Sequence, residues 1–117
     1  MKILIGKEDI PSWFQYPPQF LRIIDQNLID FDPWWILNAE DAKTWMNHLK
    51  KSYPNRELVP FAKRGDCDDI ACWQKGSGNK IIIIHNFASP GWEERKTYET
   101  FWDWLRFAIE TTIEHDP

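Results

Sequence analysis

Four consecutive isoleucines, Ile81 to Ile84, constrain this chain more than any other feature. Successive side chains of a strand point to opposite faces, so an unbroken apolar run needs cover on both sides of its sheet. The run lies in the last of three segments with strand character, residues 58–64, 69–75 and 80–87. RGDCD and GSGN join them, and Gly76-Ser77-Gly78-Asn79 is a strong hairpin signal because Gly and Asn tolerate positive φ. The rest of the chain must therefore supply layers for such a sheet.

Helical spacing supplies them. Pro18 suits a first helical turn, and Phe20, Leu21, Ile24 and Leu28 follow it at helical intervals, fading near Asn27. Asn38 reads as an N-cap before the acidic pair Glu40 and Asp41. Ala42, Trp45, Met46 and Leu49 then form an amphipathic stripe, closed by Lys50, Lys51 and Pro54. Between these helices, residues 31–37 prefer a pleated surface, with Pro33 at an edge strand or a strand's first residue. Residues 2–5 read as a short strand, and residues 10–18 as an irregular, proline-punctuated lead-in.

A long final helix is expected from about Thr97. On it Tyr98, Phe101, Trp102, Leu105, Ala108, Ile109 and Ile113 share one apolar arc. Glu99, Asp103, Glu110 and Glu114 gather on the opposite side, while Trp104 and Phe107 belong to neither set. The expected architecture is one α+β domain over residues 1–117, a mostly antiparallel sheet flanked by helices, with the C-terminal helix packed on it.

Composition narrows the function. Eight tryptophans in 117 residues are too many for one small core to hide, so some should be accessible. The net charge of −4 argues against a nucleic-acid backbone and favours a basic partner. Residues 1–11 lack a signal peptide's apolar region, and no stretch approaches a membrane span, so the default location is the cytoplasm. Cys67 and Cys72 alone make no disulfide framework.

No reactive constellation has the right spacing. Asp66, Asp68 and Asp69 are too short a ladder for an EF-hand loop, leaving a solvated turn or a partner-facing patch. No His or Cys pair has zinc spacing, and Ser89 lies in Ser-Pro-Gly, not in a nucleophile elbow. A Cys72–His85 dyad across neighbouring strands is the one catalytic arrangement to check, although a buried Cys72 would lack a thiolate. Neither a metal nor a cofactor is expected. Aromatic and acidic residues are the remaining resource, and the candidate partner contacts are Asp66, Asp68, Trp92, Glu93, Glu94, Glu99, Asp103, Trp104 and Glu110. The alternative for Trp104 and Phe107 is packing against the N-terminal segment PSWFQYPP.

Over residues 58–110 the chain resembles the SUKH superfamily of Smi/Knr-like domains. LVPFAKRGDCDDIACW matches the family's "PFA…gDdiacf" pattern, with Pro60, Phe61, Ala62, Asp68, Asp69, Ala71 and Trp73 at its positions. Trp73 stands where phenylalanine is common. KIIIIHNFASPGWEER and FWDWLRFAIE extend the similarity toward bacterial members. The resemblance implies a bent antiparallel sheet with flanking helices, no catalysis and no cofactor. It further implies an immunity protein that neutralises a cognate toxin by binding it, or a regulatory scaffold or small-ligand-binding module like the yeast relatives. A nuclease toxin, basic where it grips phosphates, would suit an acidic inhibitor.

Overall fold

The computed structural model describes residues 2–115. Its sheet has six antiparallel strands in sequence order, β1 (Asp30–Phe31), β2 (Trp34–Ile36), β3 (Leu58–Arg64), β4 (Asp69–Gln74), β5 (Ile81–His85) and β6 (Glu94–Tyr98). Three helices flank it among the described residues, α1 (Pro18–Asp25), α2 (Ala39–Ser52) and α3 (Phe101–Glu114). The α+β expectation holds. The isoleucine run does what its composition demands: Ile82 and Ile84 join the Leu49–Tyr53–Cys72 cluster beneath α2, and Ile81 and Ile83 join the aromatic cluster beneath α3. Gly76 and Gly78 have φ of 85° and 60°, as the hairpin requires.

Caps define both long helices. Asn38 Oδ1 accepts from the Asp41 amide at 2.9 Å, and Thr100 Oγ1 accepts from the Asp103 amide at 3.1 Å. After the Thr100 cap, α3 therefore starts at Phe101, about four residues later than expected, because residues 94–98 form the edge strand β6. Tyr98 belongs to that strand and not to the helix. Four other expectations change. Residues 2–5 form no strand, though Lys2 O accepts from the Ala39 amide and the Ile5 amide donates to Tyr16 Oη. Residues 31–37 divide into a hairpin whose Asp32–Pro33 turn precedes Trp34, since proline has no amide to donate to a ladder. On α1 the buried residues are Phe20 and Ile23, while Leu21 is exposed; Leu28 lies beyond the helix and is exposed as well.

The fourth change concerns α3. Phe101, Trp104, Ala108 and Thr111 face the sheet, whereas Ile109 and Ile113 are exposed. The buried face is thus rotated away from the expected arc toward Trp104. Trp104 is wholly buried, meeting Trp34 edge-on at 5.5 Å and Phe61 at 4.8 Å. It does not pack on the N-terminal segment, whose Phe14 and Tyr16 instead pack on Trp73. Phe107 stacks on Tyr98 at 5.3 Å. None of the described helices is long and apolar enough to cross a membrane.

Candidate functional site

The connection between β5 and β6, residues 86–93, leaves the sheet and is pinned at several points. The His85 amide donates to Glu93 O at 2.7 Å, closing the loop's neck. Buried Asn86 donates its amide to Asp68 O at 2.9 Å and sets Oδ1 3.1 Å from His48 Nε2 on α2. Tyr53 Oη donates to Ala88 O at 2.9 Å. At the far side Glu93 Oε1 accepts from the Gly91 amide at 2.6 Å, and Glu93 Oε2 accepts from Arg56 Nε at 2.7 Å. Arg56 also donates to Gln74 Oε1 and Glu94 Oε1.

What this frame presents is aromatic. Phe87 is 69% exposed and Trp92 is 80% exposed. Phe87 has φ of 67°, a left-handed conformation that a bulky residue adopts only when its surroundings impose it. Its ring meets His48 edge-on at 5.5 Å, so α2 supports it from below. A groove of about 680 Å³ runs beside the loop between Tyr53, Arg56, Gln74, Pro90 and Glu94. The guanidinium at its centre, Arg56, is already bonded to Gln74, Glu93 and Glu94.

The sequence-derived contacts divide between this loop and other surfaces. Asp68, Trp92 and Glu94 are exposed around it. Glu93 is in the same loop but only 6% exposed, a structural anchor and not a surface contact. Burial works to raise its pKa, yet the Arg56 guanidinium and the Gly91 amide hold the carboxyl below the usual range. Trp104 lies in the core and is withdrawn as a contact, because its volume fills the space between Phe61 and Trp34. Glu99, Asp103 and Glu110 sit on and beside α3, with Glu99 Oε2 3.9 Å from Lys80 and Asp103 paired with Arg106 at 3.2 Å.

The three-aspartate patch also separates. Asp66 accepts two bonds from Arg64 at 2.7 Å each and one from His115 Nε2 at 3.1 Å. The Arg64 fork holds its pKa at about 2. Asp69 is turned inward, tying β4 to β5 and β6 through His85 Nδ1 at 2.9 Å and Arg95 Nε at 3.2 Å. Within this patch Asp68 alone is exposed without a basic partner among the described residues.

The catalytic arrangement does not form. Cys72 lies opposite Ile82 in the ladder, whereas His85 lies opposite Asp69. Complete burial pushes the Cys72 thiol far above its ordinary pKa. No group of three His, Cys, Asp or Glu residues among those described is placed to hold a metal ion.

Sequence reasoning missed Phe87, reading it as the last residue of a strand. The available signal was its place directly before Ala-Ser-Pro-Gly, where a ladder could not continue. Tyr53 and Arg56 carried no signal, because their roles depend on a contact more than thirty residues away. Comparison of the chain with protein-family models, with characterised proteins and with solved structures found no match.

Proposed function

We propose that this chain is a non-enzymatic protein-binding domain of SUKH type, an immunity protein that neutralises a toxin by seating on it. The observation that carries this reading is the exposure of Phe87 and Trp92 on a loop already held in one conformation. Large aromatics in water are costly unless a partner covers them, and a pinned loop loses little entropy when it docks. Such side chains are also the commonest binding hot spots. Asp68 and Glu94 form an acidic rim, and the net charge of −4 steers toward a basic surface such as a nuclease cleft.

The family part of the reading rests on the motif hairpin. Phe61 and Trp73 pack with ring centroids 4.4 Å apart across β3 and β4, and Asp69 links three strands. A fold role accounts for why those residue types occur together. The regulatory or ligand-binding alternative would use the groove beside Arg56. It is the weaker reading, since Gln74, Glu93 and Glu94 already satisfy that guanidinium.

Co-expression with the product of the adjacent gene, as the candidate toxin, tests the proposal. The wild-type chain is expected to restore growth, and Phe87→Ala with Trp92→Ala to abolish protection, each anchor weakening binding by roughly 30-fold. Undiminished protection by the double variant would remove the loop from the mechanism.

A further inference from the structure

The fold leaves α3 with a second apolar stripe. At about 100° per residue, Trp102, Ile109 and Ile113 fall within about 40° of one another, on the side turned away from Trp104 and Thr111. Ile109 is 43% exposed and Ile113 is 67% exposed. Leu21 of α1 and Trp102 line the same shallow groove, so the apolar surface continues across both helices. A helix that is apolar on two sides is normally covered on two sides.

Charge decides what covers it. Arg106, Glu110 and Glu114 follow one edge of the stripe in the order plus, minus, minus. Among the described residues Arg106 reaches only Asp103, within its own helix, and Glu110 and Glu114 form no ion pair. We propose that the stripe is a homodimer interface in which α3 packs antiparallel against α3 of a second copy. A two-fold axis beside Ile109 sets Ile109 against itself and Leu105 against Ile113. It also places Arg106 of each copy between Glu110 and Glu114 of the other, as an isologous contact requires. A parallel pairing would instead set this charged edge of each helix against the Leu105 and Thr112 edge of the other, leaving Arg106 without an acidic partner. Dimerisation through the free edge of β6 is disfavoured, because its fullest antiparallel register opposes Lys96 to Lys96. The proposed interface and the Phe87–Trp92 loop lie on opposite sides of the sheet, since the loop rests on α2. The dimer would present two binding loops at once, and its existence is independent of what they bind.

Sedimentation of the full chain at about 100 µM and low salt tests this. The wild-type protein is expected to be a dimer, and Ile109→Glu with Ile113→Glu a folded monomer. Two charge variants supply the arm that does not depend on the apolar residues. Arg106→Glu alone, and Glu110→Arg with Glu114→Arg alone, are each expected to weaken self-association at least about tenfold. An equimolar mixture of the two is expected to restore the dimer. A monomeric wild type, a dimer that survives both isoleucine substitutions, or charge variants that fail to complement each other would overturn the proposal.

Discussion

Phe87 illustrates how one residue can be unfavourable for folding and still belong where it is. Its left-handed backbone and exposed ring contribute strain and little burial. Replacing it with glycine, which adopts that conformation freely, is expected to raise stability by about 1 kcal/mol while removing partner binding. Paired denaturation and binding measurements check this, and a Phe87→Gly protein that is less stable would show the ring to be a structural prop. Glu93 is the opposite case, an acid that serves the fold. Arg56→Met is expected to cost about 2 kcal/mol in urea denaturation, because it leaves a nearly buried carboxylate unpaired. The pH dependence has a definite sign. Glu93 and Asp66 both have folded pKa values below their unfolded ones, so each stabilises fully above the ordinary carboxylate range. That stabilisation is lost on acidification, for Asp66 as pH falls from about 4 through about 2. Asp66→Asn is expected to flatten this acid limb while costing under about 1 kcal/mol at pH 7, since the pair is partly solvent-exposed. Denaturation midpoints that instead rise on acidification would contradict both assignments.

Among the elements, those whose pattern admits one arrangement were legible and those whose pattern admits several, or carries no signal, were not. The stripe of α2 and its Asn38 cap, the isoleucine strand and the glycine hairpin each had a single arrangement satisfying their pattern. β6 was missed because Glu94, Arg95 and Lys96 carry no strand signal; their charge suits an edge, where only one side of the strand is paired. The residues 31–37 hairpin was read as one strand because Pro33 was placed at a strand's start and not in a turn. α3 was mis-rotated because apolar residues occupy nearly every direction around it, and periodicity cannot rank faces that all qualify. Ring volume decided: the gap between Trp34 and Phe61 takes Trp104, which leaves Ile109 and Ile113 outside. Trp104→Ala is accordingly expected to cost about 3–5 kcal/mol in thermal or urea unfolding. Ile113→Ala should change unfolding of the monomer by under about 0.5 kcal/mol. Equal costs for the two would reverse the assignment of faces.

At the scale of the molecule, the antiparallel sheet separates two surfaces with different leftovers. The α2 side carries the pinned aromatic loop, and the α1–α3 side carries the spare apolar stripe. Of the candidate contacts legible in the sequence, Trp92, Asp68 and Glu94 reach the loop, whereas Glu93 and Trp104 were absorbed by the fold. The acidic strip expected along α3 is also diluted, since Asp103 and Glu99 have basic neighbours and only its C-terminal part keeps unpaired acids among the described residues. Sequence could count acids and aromatics but could not tell which would be spent inside, because that depends on distant partners such as Arg56. The most direct test of the binding claim sets two double variants side by side in cells producing the candidate toxin, the product of the adjacent gene. Loss of protection with Phe87→Ala and Trp92→Ala, and full protection with Asp103→Lys and Glu110→Lys, is the expected result. The reverse pattern, protection surviving without the loop aromatics and failing without the helix acids, would contradict the account.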